Sequence, residues 1–290
     1  MEIVTNPYDL QTRASEWRCS GLRTALVPTM GYLHEGHLTL IDHGRKNADR
    51  LMVSLFVNPT QFGPGEDLDT YPRDAERDEA LAREHGVDVL FTPTRDSMYA
   101  PDHATWVEVP SLAAGLCGVS RPTFFRGVAT VVTKLLILAM PNIAMFGEKD
   151  YQQLTLIKRM VRDLMLPTEI VGMPIVREAD GLALSSRNAY LTEAERAQAP
   201  QLYKGLAAAQ DVVAGGERDI AAVRQYVESY YAKNLPLGEL DYLEFVDPES
   251  LVPMTRADGP CRVAVALRLG KARLIDNLRI DPPSGRESEK

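Results

Sequence analysis

The sequence predicts an α/β fold: a doubly wound parallel sheet followed by a smaller domain of mixed helix and strand. Three observations carry that expectation. Short apolar runs alternate with helical stretches from about residue 22 to residue 176, the βαβα rhythm of a parallel sheet. Residues 51–57 are almost continuously apolar, as a strand buried on both faces should be. The rhythm then stops near Val176, so the expected domains are residues 1–176 and 177–290.

The elements follow in order. Residues 22–27 read as a strand closed by Pro28. The next stretch places Leu38, Ile41, Arg45 and Ala48 on one helical stripe. After the strand at 51–57 comes a polar loop, residues 58–71. A helix follows, with Pro72 at its first position and Gly86 just past its end. Residues 87–91 form another apolar run. Residues 128–139 are apolar almost all round, which predicts a buried helix. A strand at 143–146 leads into a helix with Leu154, Ile157, Val161 and Leu164 on one stripe. Residues 170–176 hold a further strand, interrupted by Gly172 and Pro174. Beyond the boundary, Thr192 and Glu195 read as a capping box opening a helix that runs towards Gly215. Residues 240–246 and 262–275 read as strands of a smaller sheet, with Gly270 at the turn. The polar tail, residues 282–290, is expected to lack fixed structure.

Bulk properties narrow the class. A chain of 290 residues, 45% hydrophobic, can bury a sizeable core without disulfides or a structural metal. A formal charge of −8 argues against a nucleic-acid partner, which calls for a basic face. Cys19, Cys117 and Cys261 are odd in number and far apart, so reduced thiols are expected. The longest apolar run, residues 128–140, contains Lys134 and is too short to span a bilayer. The first eleven residues lack a basic segment followed by an apolar one. A cytoplasmic protein without membrane association is expected.

In open α/β sheets ligands bind beyond the carboxyl ends of the strands. Four polar clusters stand in such places: residues 28–37, residues 58–62, residues 147–153 and residues 185–188. The first three are expected at one sheet edge, and the fourth could reach it from the domain junction. His34 and His37 are three apart at a helix start, so both rings can share one face. A helix N-terminus suits a phosphate, and imidazole N–H groups can follow charge that builds on a phosphoryl group. Lys149, Ser186 and Arg187 are the natural cations and donors for a polyphosphate. Gln61 and Gln153 are amides suited to a hydroxyl-bearing carboxylate. HExxH would need a histidine where Leu38 stands, so the zincin reading fails; a two-histidine metal site stays open. No GxxxxGK[ST] loop, GxGxxG fingerprint or GxSxG elbow occurs.

The run Pro28-Thr29-Met30-Gly31-Tyr32-Leu33-His34-Glu35-Gly36-His37 resembles the HxGH nucleotide site of the cytidylyltransferase-like superfamily, in its pantothenate synthetase family form. Residues 58–62, 146–154 and 185–188 match further motifs of that family in order, as do Arg121-Pro122 with Phe125-Arg126-Gly127-Val128. The likeness covers nearly the whole chain. It implies a Rossmann-like N-terminal domain, a smaller α+β C-terminal lid and a homodimer. It also implies a two-step, ATP-dependent ligation. The carboxylate of (R)-pantoate attacks the α-phosphate, giving pantoyl adenylate and pyrophosphate, with Mg2+ accompanying ATP. The amine of β-alanine then takes the acyl group and releases AMP, leaving pantothenate. By the same resemblance Met30, Gly31, Tyr32, Leu33, His34, Glu35, Gly36 and His37 line the ATP site, and His37 is its proton donor. Gly147, Glu148, Lys149, Asp150, Val176, Leu184, Ser185, Ser186 and Arg187 also contact ATP. His37, His34, Lys149, Ser186 and Arg187 form the expected catalytic set. Gln61, Gln153 and Asn58 hold the small substrates, and no resident metal is expected. Phe124 stands where the family usually has histidine, and Leu184 where it has methionine. A nucleotidyltransferase of the same superfamily is the competing expectation.

Overall fold

The computed structural model describes residues 1–283. The chain divides into two units, Met1–Val176 and Arg177–Lys290. The expected tail lies outside the described residues from 284 onward.

The first unit carries six parallel strands: β1 (Glu2–Val4), β2 (Thr24–Thr29), β3 (Arg50–Leu55), β4 (Val89–Phe91), β5 (Ile143–Gly147) and β6 (Glu169–Met173). Their order in the sheet is β1-β4-β3-β2-β5-β6. The chain builds outward from β2 through β3 to β4, then returns to set β5 against the other side of β2. The order therefore reverses between β2 and β5, the place where such sheets open a ligand crevice. Ala25, Val27, Leu51, Val53, Ile143 and Met145 are essentially inaccessible to solvent. Each of these except Ala25 adds about 1.5–3 kcal/mol on burial. Leu38 and Ile41 of the Glu35–Asn47 helix join the same core.

Several expectations need correction. The β2 strand does not stop before Pro28 but runs through it to Thr29. Proline is tolerated because β5 pairs with β2 only at Ala25 and Leu26, leaving β3 alone beside Pro28. Pro72 does not open the next helix. Asp74 caps it by accepting from the Arg77 amide, so the helix spans Ala75–Glu84. Gly86, with φ +70°, follows its end. The buried helix starts earlier than expected and spans Phe124–Ala139. The Tyr151–Asp163 helix ends before Leu164, which is 48% exposed rather than part of the buried stripe. Strand β1 and the Pro7–Cys19 helix have no counterpart among the sequence expectations.

The second unit holds an antiparallel sheet, β7 (Gly238–Val246), β8 (Cys261–Leu269) and β9 (Ala272–Ile280), in that order. Gly270 makes the β8–β9 turn with φ +58°. The strand pair is longer than the expected 262–275. Helices Gln201–Ala214 and Ile220–Asn234 share one apolar core with this sheet, including Leu206, Val227, Phe245 and Val265. The Thr192–Glu195 capping box is present, but the helix it opens ends at Gln198. Pro200 then intervenes, so the expected single helix is two.

Candidate active site

Three of the four polar clusters follow β2, β3 and β5, and all three strands run parallel. Their loops consequently leave the same edge of the sheet. After β2 the backbone turns through Gly31 (φ +84°) and Tyr32 (φ +53°) into the Glu35–Asn47 helix. His34 is the N-cap of that helix and His37 lies in its first turn. Their ring centroids are 4.0 Å apart. The His34 amide donates to His37 Nδ1 at 3.3 Å. With Nδ1 accepting, a neutral His37 ring carries its proton on Nε2. His34 Nδ1 is buried and has no hydrogen-bond partner.

Lys149 sits in the turn Glu148–Asp150 that follows β5. Burial pushes the His37 pKa down to about 3, and the neighbouring His34 and Lys149 push the same way. Burial also lowers His34 to about 4, helped by Lys149 and Arg77 and opposed by Asp150. Histidines from the β2 turn and a lysine from the β5 turn thus share one field across the switch point. Both rings are neutral at pH 7. This has a measurable consequence. Below about pH 6.5 the unfolded chain takes up protons that the folded rings refuse. Native stability from these rings is therefore complete above pH 6.5 and is lost as pH falls towards 4. The slope is on the order of 1 kcal/mol per pH unit for each ring. Denaturant midpoints between pH 7 and 4 should fall less steeply in His37→Ala than in the wild type.

The β3 loop supplies amides. Asn58 is 1% exposed and caps the short turn Pro59–Gln61. Its Nδ2 donates to Gln61 Oε1 and to the Gly127 carbonyl, each at 3.1 Å. Gln61 Nε2 in turn donates to Met30 Sδ at 3.1 Å, joining the β3 loop to the β2 turn. Gly127 is required by close approach: a Cβ there would lie 2.4 Å from the Thr60 carbonyl oxygen. The Phe124–Ala139 helix thus packs backbone to backbone on the loop that carries Gln61. Arg121 clamps the same loop, donating to the Gln61 carbonyl at 3.1 Å and pairing with Glu66 at 2.6 Å. Its guanidinium lies 3.8 Å from the centroid of the Phe124 ring. The aromatic residue at 124 therefore has a structural occupation of its own.

Not every expected residue stands alike. Gln153 is half-buried in the first turn of the Tyr151–Asp163 helix. Its neighbour Gln152 is 7% exposed and commits its amide to Cys117 N, Leu112 O and Gly115 O. Leu33 is fully buried among core residues. Val176 ends the first unit. Leu184, Ser185, Ser186 and Arg187 belong to the second unit, where Ser185 accepts from the Arg187 amide and caps the turn Ser186–Tyr190. Asn188 braces that turn on Glu178, which also pairs with Arg196. The sequence reading missed Asp78 and Arg77. Asp78 accepts from the amides of Tyr32 and Leu33, and Arg77 donates to the Leu33 carbonyl. Among the described residues no group of three or more His, Cys, Asp or Glu could hold a metal ion, and no helix is long and apolar enough to cross a membrane.

A helix start fed by a left-handed turn at a sheet's switch point, with a lysine near enough to depress both imidazoles, is an arrangement suited to a nucleotide-using α/β enzyme. Residues 2–279 match the family model described as pantoate-beta-alanine ligase, and the chain belongs to that family. It is 56% identical over 280 residues to the pantothenate synthetase of Nitratidesulfovibrio vulgaris (strain DP4), covering 97% of this chain and 99% of that one. It is 58% identical over 278 residues to that of Desulfovibrio desulfuricans, covering 96% and 99%. The crystal structure of pantothenate synthetase from Thermus thermophilus matches with a TM-score of 0.90 at 46% identity, covering 97% and 100%. A pantoate-beta-alanine ligase from Francisella tularensis, complexed with beta-gamma ATP and beta-alanine, matches with a TM-score of 0.78 at 33% identity, covering 96% and 97%. The reaction is the ATP-dependent formation of pantothenate from pantoate and β-alanine through an acyl adenylate. The competing nucleotidyltransferase expectation is set aside.

Proposed function

We propose that His34, His37 and Lys149 take the phosphates of ATP at the β2–β5 switch point, while Asn58, Gln61 and Gln153 hold the small substrates beside them. The opening of the β2 and β5 loops at one sheet edge, with the two rings 4.0 Å apart, carries this reading, and Lys149 lies near enough to depress both imidazoles. Lys149 supplies the fixed positive charge that two neutral imidazoles cannot. His37 supplies a preorganised Nε2–H donor to the oxygen on which charge accumulates as the pantoate carboxylate attacks the α-phosphate. Mg2+ brought in with the nucleotide would supply counter-charge to the pyrophosphate, and no side chain of this chain is assigned to hold it. The Gln61 amide, fixed by Asn58 and Met30, can accept from a pantoate hydroxyl and donate to a carboxylate without adding charge. Met30, Gly31, Tyr32, Glu35, Gly36, Gly147, Glu148 and Asp150 surround these groups in sequence and are assigned to the nucleotide with them. Val176, Leu184, Ser185, Ser186 and Arg187 are assigned to ATP on the family motif alone. A cytoplasmic homodimer is likewise proposed on the resemblance.

The test is pantoate-dependent exchange of labelled pyrophosphate into ATP at saturating Mg2+. Wild type should exchange only when pantoate is present, and Gln61→Leu should raise the pantoate concentration needed at least ten-fold. An unchanged pantoate requirement in Gln61→Leu would remove that residue from the substrate site.

A further inference from the structure

We propose that Asp78 is a positioning residue for adenylation: its carboxylate fixes the turn from which His34 and His37 project. The inference rests on the assignment of those two rings to the nucleotide.

The turn is unusual in needing to be held. Gly31 and Tyr32 are consecutive left-handed residues, at φ +84° and +53°. Tyrosine adopts that region at a cost of about 1–2 kcal/mol. Successive amides in such a turn point into one concavity and attract an anion. In this chain the anion is internal. Asp78 Oδ2 accepts from the Tyr32 amide and Oδ1 from the Leu33 amide, both at 2.7 Å. The carboxylate uses one oxygen for each donor, so it fixes the orientation of two successive peptides. The following residue is His34. Arg77, next to Asp78 on the Ala75–Glu84 helix, donates to the Leu33 carbonyl at 2.9 Å and lies over the Tyr32 ring at 5.8 Å. One helix thus grips Leu33 at both its N–H and its C=O.

Asp78 is 2% exposed, and burial raises its carboxyl pKa against the opposing pull of the two amides and Arg77. A buried carboxylate here has a chemical consequence beyond rigidity. It occupies the two amides that an open turn would offer to a phosphate. The incoming polyphosphate is left with the His34 and His37 rings and Lys149, which lie further along. Asp78 therefore both shapes the turn and directs the phosphate away from it. Gly31 fits the same arrangement, since a Cβ there would lie 3.0 Å from Asp78 Oδ2.

Asp78→Asn tests this with little change in volume. One acceptor oxygen becomes an NH2 group facing a backbone N–H, so one of the two bonds becomes a repulsion. The expected result is at least a ten-fold fall in kcat for pantoate-dependent pyrophosphate exchange, with the pantoate KM within about two-fold of wild type. Asp88→Asn is the control. Asp88 accepts from the Leu51 amide and pairs with Arg45 at the opposite end of the strands. It should lower the melting temperature while leaving kcat unchanged. Wild-type kcat in folded Asp78→Asn would overturn the proposal, and so would an equal kcat loss in Asp88→Asn. Should Asp78→Asn fail to fold, Asp78→Ser, which keeps a single acceptor, is read by the same criteria. Failure of the underlying site assignment would show separately, as a wild-type rate in His37→Ala.

Discussion

His37→Ala should cut pantoyl adenylate formation by roughly 10²–10³-fold, the scale of a lost oxyanion donor, while leaving the fold intact. The fold should survive because the ring contributes one backbone contact, from His34 N at 3.3 Å, and the helix core rests on Leu38 and Ile41 instead. The same contact bears on the proposed chemistry. It leaves the proton on Nε2, and burial with Lys149 nearby holds the pKa to about 3. On the proposed assignment, His37 would act at neutral pH as a hydrogen-bond donor rather than as an imidazolium acid. Two measurements check this. Single-turnover formation of the adenylate should be independent of this ring's titration from about pH 5 to pH 8. His37→Gln should recover part of the rate lost in His37→Ala, because an amide N–H can substitute for the imidazole N–H. An inflection near pH 6.5 that disappears in His37→Ala would refute the neutral-donor role.

The second large effect concerns stability. Arg177→Met should destabilise the second unit by about 3–5 kcal/mol, the cost of leaving one member of a buried ion pair alone. Asp276 has a side chain 1% exposed and receives both Arg177 guanidinium nitrogens, at 2.6 and 2.9 Å. Arg177 also lies 3.9 Å from the centroid of the Tyr203 ring and donates to the Gly181 carbonyl. Removing it strands a carboxylate in the protein interior. Asp276→Asn in the Arg177→Met background should recover a good part of the loss, since a neutral amide needs no counter-charge. Urea denaturation of the wild type, both single variants and the double variant gives the coupling directly. Additive losses would show that the pair contributes nothing as a pair.

What the sequence disclosed and what it hid follow a physical division. His34, His37 and Lys149 were legible because polar residues directly after apolar strands must sit at a sheet's carboxyl edge. Asn58 and Gln61 were legible for the same reason. Asp78 was not. It lies 46 residues from the Tyr32 amide it holds, on a helix whose neighbours are charged and surface-like, so no local pattern separates it from Glu76 or Glu79. Gln152 and Gln153 are adjacent and chemically identical, and only the packing shows that one braces the scaffold. Local rules also competed. At the helix after residue 71, Asp74 offers a side-chain acceptor that Pro72 lacks, and the cap decided the boundary. Pro200 breaks a helix that the periodicity alone would continue. Strand order is a matter of long-range pairing, which no local propensity encodes.

The β2–β5 neighbour relation has a consequence for how the enzyme comes into being. Ala25 pairs with Ile143, so the two sides of the candidate crevice are supplied by stretches of chain more than a hundred residues apart. On the ribosome β2 emerges early and must wait, with one flank uncovered, while β3, β4 and the Phe124–Ala139 helix are made. On the proposed assignment of Lys149 to the nucleotide, grip on it would be among the last properties of the first unit to arise during synthesis, because Lys149 follows the strand that closes the gap.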